Sequence, residues 1–317
     1  MVVEYDLDAV DRLQEEFEVI AFGLFRNGRL SGSEAVKDRR VRAWCGVSLT
    51  VLSITWYLLE SFGGLKEGAT MERFLWALNM LQQYPTEENG ASRCGGVDEG
   101  TWSTWVWYFI DEVSYLENDV ILWVNRFIGD VGNDCLLSAD GVDFLTRGRK
   151  LDSGQPDKDY FSQKFNKPAY RYEIATNIRS SYICWIAGPY LPGVYNDLQI
   201  FRMGLRDKLD VGEKVEADDG YIAEREKCKC PHSMRTREDQ RRMRGRLRMR
   251  QEKLNRLLKN FHTLDVPFRH GASKHGSCVR AICVLVQLTM EQGEELFDMR
   301  EYHDNMSDNQ VAQLYGI

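Results

Sequence analysis

Apolar residues recur at helical spacing through the first 130 residues and then give way to short strand-like runs. Leu7 to Phe25 is an amphipathic stretch, and Val47 to Phe62 is a strongly apolar one that includes Trp56 and Tyr57. From Met71 to Tyr84 the residues Phe74, Leu75, Leu78 and Leu81 share one helical face, and Pro85 stops the run because it has no N–H to continue the ladder. Pro85-Thr86-Glu87-Glu88 reads as the next helix start, Gly95-Gly96 as a turn, and Asp98 as the N-cap of a third helix from Glu99 to about Leu116. Two short helices, a glycine turn and a longer helix outline a helix-turn-helix over about 71–116.

From Cys135 the period changes. Strands are expected at 135–140, 170–178 and 182–187. A helix capped by Asn196 or Asp197 should then bury Ile200, Phe201, Leu205 and Leu209. Lys214 to Ala217 reads as one more strand, ending at Asp218. An Arg-rich helix from about Thr236 to Phe261 and an apolar helix from about Gly276 to Met290 complete the chain. Three strands, a helix, a strand and then helices is the order of a ribonuclease H-like α/β domain, a mixed sheet flanked by helices. In that fold the first and fourth strands are neighbours. The expected division is an all-α region over 1–130, containing the helix-turn-helix, and a ribonuclease H-like domain over 131–317.

With 317 residues, 43% of them hydrophobic, the chain can bury a sizeable core. Its start lacks a signal-peptide pattern and no apolar run approaches 18 residues, so the expectation is an intracellular protein without a membrane span. Eight scattered cysteines, several inside apolar runs, suit a reducing compartment. The net charge of −7 conceals an asymmetry. Residues 1–130 hold 11 Lys/Arg against 21 Asp/Glu, whereas residues 231–260 hold 11 against 3. The basic stretch is an electrostatic footprint for a polyanion. The third helix is no such footprint, because Asp98 to Asn125 contains six acids and no Lys or Arg. Trp102, Trp105 and Trp107 point to core packing or a protein interface.

Asp140, Asp218 and Glu252 carry the candidate chemistry. Asp140 and Asp218 are expected at strand ends, and Glu252 falls opposite the apolar stripe Leu247, Leu254, Leu258 and Phe261, on the helix face that also holds Arg241, Arg248, Asn255, Arg256 and Lys259. Three such carboxylates can hold a pair of hard divalent cations, the hardware of phosphodiester cleavage. Arg241, Arg248, Arg256 and Lys259 are the candidate DNA-backbone contacts. Each acid also has a plainer explanation. Asp143 lies close to Asp140 and Asp219 adjoins Asp218, both rivals reading as part of the turn, and a turn-forming Asp is the plainer reading for either pair; Asp197 reads as an N-cap, and Glu252 can simply pair with Arg248 or Arg256 one turn away. Cys228-Lys229-Cys230-Pro231-His232 lacks a second ligand pair at zinc spacing and reads as loop cysteines. His270 and His275 are candidate DNA contacts or helix caps.

In this order, Leu75-Trp76-Ala77-Leu78, Tyr84-Pro85-Thr86-Glu87, Gly95-Gly96-Val97-Asp98-Glu99, Asp140-Gly141-Val142-Asp143-Phe144, Tyr170-Arg171-Tyr172-Glu173, Pro192-Gly193 with Asp197, Ala217-Asp218-Asp219-Gly220-Tyr221, Glu252 with Asn255 and Lys259, and Phe268-Arg269-His270 resemble the DDE superfamily endonucleases of PIF/Harbinger-type transposases. The resemblance runs from about Trp44 to about Phe297. It implies a ribonuclease H-like catalytic domain behind a helix-turn-helix region, with Asp140, Asp218 and Glu252 as catalytic, metal-binding triad. It also implies two Mg²⁺ ions, with Mn²⁺ as a substitute, transposon-end and target DNA as substrates, a Myb-like partner protein that assists DNA binding and nuclear entry, a homo-oligomer, and a nuclear location. The chain departs from the family pattern at Gly100 to Thr104, which carry no positive charge, at Val142, and at Gln251, where a His commonly precedes the glutamate. Those departures leave a second expectation, a catalytically inactive transposase-derived protein that binds DNA or a protein.

Overall fold

The computed structural model describes residues 5–24, 33–130, 132–230, 238–297 and 299, with the side chains of 238–244 outside that description. It is a mixed α/β protein with a six-stranded mixed sheet and, among the described residues, eleven α-helices. Two compact units divide the chain, Met1–Ile121 with Phe144–Arg147 and Arg256–Glu295, and Leu122–Asp143 with Gly148–Asn255 and Leu296–Ile317. The first change of unit falls close to the boundary read near residue 130. Residues 256–295, however, belong with the N-terminal helices.

The first unit is helical. It contains α1 (Leu7–Leu24), α2 (Glu34–Cys45), α3 (Leu49–Leu58), α4 (Met71–Gln83), α5 (Glu87–Arg93), α6 (Glu99–Tyr115) and α7 (Glu117–Val120). Local chemistry sets the boundaries. Ser48 accepts from Val51 N at 3.2 Å, Thr70 from Arg73 N at 3.3 Å, Thr86 from Asn89 N at 3.3 Å and Asp98 from Thr101 N at 3.0 Å, each supplying an acceptor for an N–H that the first helical turn leaves unpaired. Tyr84 ends α4 in the left-handed region at φ 47°, one residue before Pro85. Its ring stacks on Phe268 at 5.6 Å, and its hydroxyl accepts from Arg269 N at 2.6 Å.

Phe17, Trp56, Phe74 and Phe109 interlock in the centre of this unit, with ring centroids 5.6–6.1 Å apart. Trp102 on α6 is fully buried over Gly90 of α5, where a Cβ would lie 2.3 Å from the indole. Trp105 and Trp107 are half-buried, and cations cover them: Lys66 and Arg73 lie 4.2 Å from the Trp105 ring, Lys274 4.1 Å from Trp107. His275 is a core residue rather than a DNA contact or cap, because burial among apolar groups lowers its pKa to about 3 and keeps the ring neutral. It lies on α11 (Ala272–Glu291), the apolar helix that follows the short α10 (His262–Asp265) and packs against α3, α6 and α7.

The second unit carries the sheet, made of β1 (Cys135–Leu145), β2 (Phe161–Ser162), β3 (Lys167–Asn177), β4 (Ile183–Tyr190), β5 (Lys214–Glu216) and β6 (Cys228–Lys229). The order is β2-β3-β1-β5-β6, with β4 also on β3. β2 and β4 run antiparallel to β3, while β1, β5 and β6 pair in parallel. Leu137 and Ala139 point to one side of β1, into a core with Phe201, Leu205, Leu209, Val215, Cys228 and Cys230. Cys228, on β6, and Cys230, in the loop just after it, are both buried in this core, while His232 lies outside the described residues.

Candidate functional site

Two features of β1 differ from the sequence expectation. The strand does not end at Asp140 but continues through Asp143 to Leu145. Asp143 can stay in the sheet because it is not a turn residue. It is 1% exposed, with Arg171 Nε at 2.7 Å from Oδ1 and Arg171 Nη2 and Ser162 Oγ at 2.9 and 2.6 Å from Oδ2. A bidentate guanidinium and a hydroxyl compensate the buried charge.

The parallel register of β1 and β5 places Leu137 beside Val215 and Ser138 beside Glu216. Two residues further along each chain come Asp140 and Asp218. Asp218 leaves the sheet as the cap of a single 3₁₀ turn, Asp219–Tyr221, accepting Gly220 N at 2.8 Å. Asp218 is thus a turn-forming residue, and its charge also acts on Asp140.

A third aspartate joins them. Asn196, not Asp197, caps the next helix, α8 (Asp197–Met203), through a reciprocal capping box with Gln199. Asp197 is freed to approach β1. A Cβ on Gly141 would lie 2.1 Å from Asp197 Oδ1, and one on Gly220 3.6 Å from its Oδ2, so this carboxylate sits against Gly141, which follows Asp140, and near Gly220, two residues after Asp218. Arg171 Nη1 stands 3.4 Å from Asp197 Oδ1, an atom that is buried and receives no hydrogen bond.

On the opposite face lies α9 (Glu238–Lys259). Gln251 fixes its position, donating to Ser138 O at 2.6 Å and Thr176 Oγ1 at 3.2 Å. One helical turn later, Asn255 Nδ2 donates to Asp140 Oδ2 at 3.3 Å. Glu252, one position after Gln251, points elsewhere: its side chain is 61% exposed and pairs with Arg248 at 3.4 Å. The α9 side chain in contact with Asp140 is therefore Asn255. Arg248 and Arg256 are exposed and Lys259 is half-buried, 6.0 Å from the Phe144 ring; the Arg241 side chain lies outside the described residues.

Burial is the largest influence on Asp140 and, with Asp218 and Asp197 nearby, drives its pKa up to about 6 against the opposing effects of Lys164 and the Asn255 hydrogen bond. Asp197 is pushed up as well, first by burial and then by Asp218 and Asp143, with Arg171 opposing. Behind them Glu173 is fully buried on β3. Burial raises its pKa to about 8, although Trp185 Nε1 at 3.1 Å and Tyr221 Oη at 3.3 Å bond to it.

No family model, no curated protein and no solved structure matches the chain.

The donor chemistry fits a hard divalent cation. Asp140, Asp197 and Asp218 offer oxygen only, Asp197 Oδ1 is buried without a hydrogen bond, and Asp140, whose pKa is raised mainly by burial, also feels the negative charges of Asp218 and Asp197. Among the described residues, no three His, Cys, Asp or Glu side chains are already closed around one point. Sequence reasoning set Asp197 aside as a cap. Asn196 followed three residues later by Gln199 was the signal that the capping task was already filled. Arg171 and Glu173 act through contacts made across the sheet, which no local pattern announces.

Proposed function

We propose that this chain is a metal-dependent DNA endonuclease and strand transferase of the transposase type, built on a ribonuclease H-like sheet. The observation that supports the reading is the parallel β1–β5 register, which pairs Ser138 with Glu216, two residues before Asp140 and Asp218 respectively. The strand order supports it too, since removing the two-residue β2 leaves β4-β3-β1-β5-β6, an antiparallel side joined through β1 to a parallel side.

In this reading Asp140 and Asp218 would hold two divalent cations, Mg²⁺ or Mn²⁺, and Glu252 would complete the set by leaving Arg248. Bound there, such ions supply Lewis-acid polarisation of a phosphodiester and a lowered pKa for an attacking oxygen. The protein's own contributions are positional. Asn255 orients Asp140, Arg171 orients Asp197, and Arg241, Arg248, Arg256 and Lys259 on α9 hold the DNA backbone as point charges and forks. The acidic start of α6 implies that sequence-specific reading of transposon ends comes from elsewhere, and a Myb-like partner, which would also bring a homo-oligomer of this chain into the nucleus, fills that role. Incubating the protein with supercoiled DNA carrying candidate terminal repeats and Mg²⁺ should produce nicks that vanish in Asp140→Ala. Absence of nicking by the wild type with either ion, under conditions where it binds the DNA, would reject the enzyme.

One observation favours a second reading, a transposase-derived protein that binds without cutting: Glu252 is exposed and paired with Arg248 rather than turned toward Asp140. DNA binding with no metal-dependent cleavage is its signature.

A further inference from the structure

Downstream of both site aspartates lies a cleft of about 520 Å³, lined by Arg202, Arg206, Ala223, Glu224, Arg225 and Glu226. Its two walls continue the elements that carry the acids. Arg202 stands five residues after Asp197, roughly 7.5 Å further along α8 at about 1.5 Å per residue. Glu224 follows the 3₁₀ turn that begins after Asp218.

The charges here are arranged, not merely close. Glu224 is largely buried and accepts Arg202 Nε on Oε2 at 2.7 Å and Arg206 Nε on Oε1 at 3.0 Å. One carboxylate therefore clamps two guanidiniums by their inner nitrogens, and its own pKa is lowered first by the bond from Arg202. The outer nitrogens of Arg202 receive no protein acceptor among the described residues. An outer nitrogen of Arg206 lies 3.6 Å from Asp207 Oδ1. Arg225 is exposed on the same rim with no ion pair or hydrogen bond among the described residues. Glu226 is the opposing charge. Two forks with fixed stems, the tip of Arg202 unpaired and that of Arg206 only loosely held by Asp207, joined by the exposed guanidinium of Arg225, match the tetrahedral oxygens of a phosphoryl group.

We propose that the Arg202–Arg206–Arg225 cleft is a phosphate-binding site, filled by a backbone phosphodiester of DNA that runs past the acids. The same chemistry would take a free phosphate group, and the DNA arm of the test rests on the nucleic-acid reading above while the phosphate arm does not.

The test uses the full chain in EDTA, so that cleavage plays no part and a failed nuclease reading leaves the result unchanged. The probes are inorganic phosphate, followed by thermal shift at constant ionic strength, and a labelled 20-base-pair duplex, followed by anisotropy. Arg225→Glu has no partner to lose and should abolish the phosphate-induced shift. It should also weaken duplex binding about tenfold, with the slope of log affinity against log salt falling by about one. Arg202→Lys keeps the charge beside Glu224 but loses the fork and should act in the same direction, whereas Glu226→Gln should tighten both probes. A lost phosphate shift with unchanged duplex binding assigns the site to free phosphate groups. If Arg225→Glu leaves both probes unchanged, or weakens duplex binding no more than Lys150→Glu does, the cleft is not a phosphate site.

Discussion

Glu173 gives the sharpest test of how the site is supported from behind. Its folded-state pKa of about 8 lies above the ordinary 4.5. Between those values the native chain binds a proton that the unfolded chain releases. The stability this contributes is complete below pH 4.5, declines by about 1.36 kcal/mol per pH unit above it, and is gone beyond pH 8. Over the full 3.5-unit interval the effect is about 5 kcal/mol, an upper figure for a group this buried. Asp140, with its pKa of about 6, has lost most of its contribution by pH 6.5. From pH 6.5 to 8 the change therefore belongs mainly to Glu173 and amounts to about 2 kcal/mol. Glu173→Gln keeps the shape of the neutral acid and cannot ionise. Urea denaturation followed by tryptophan fluorescence should show the wild type losing about 2 kcal/mol more than Glu173→Gln over that interval. Parallel pH profiles for the two proteins would refute a protonated Glu173, and with it the claim that the acids in front share their surroundings with a neutral residue.

Other perturbations follow from the same contacts. Arg171→Ala strands Asp143 as an unpaired charge at 1% exposure and should cost about 3–5 kcal/mol; Arg171→Met with Asp143→Asn should recover much of that loss in the same denaturation experiment. Gly141→Ala puts a methyl where Asp197 Oδ1 now sits, 2.1 Å away, so it should lower stability by about 1–3 kcal/mol and disturb any cation response, read from thermal shift with and without Mn²⁺. Reversing Arg241, Arg248 and Arg256 to Glu should abolish most DNA binding and flatten its salt dependence, whereas changes at Ser103 and Thr104 should do little; anisotropy titrations across a salt series check both.

The helices of the first unit were legible because their signals are local. Thr86, Asp98 and Pro85 act within a turn of their own positions, and α4, α5 and α6 begin and end close to where those residues predict. The β1–β5 neighbourhood was legible from element order alone. What escaped notice depends on partners distant in sequence. Asp143 looked like a turn residue because Arg171, which lets it stay in the sheet, comes 28 residues later. Arg-rich α9 was correctly a helix, with Leu247, Leu254, Leu258 and Phe261 buried, yet its rotation against the sheet is set by Gln251 on Ser138 and Thr176, which leaves Asn255 rather than Glu252 at Asp140. The return of residues 256–295 to the helical unit likewise leaves no mark on the hydrophobic pattern.

Everything proposed for the site turns on whether Asp140 and Asp218 together take up a divalent cation. Titrating Mn²⁺ into the full-length protein and counting free ion by electron paramagnetic resonance measures this without reference to any DNA substrate. Saturable uptake by the wild type, competed by excess Mg²⁺ and lost in both Asp140→Asn and Asp218→Asn while the fold is retained, is the expected result. Uptake that survives both substitutions, or no saturable uptake at all, would contradict the account.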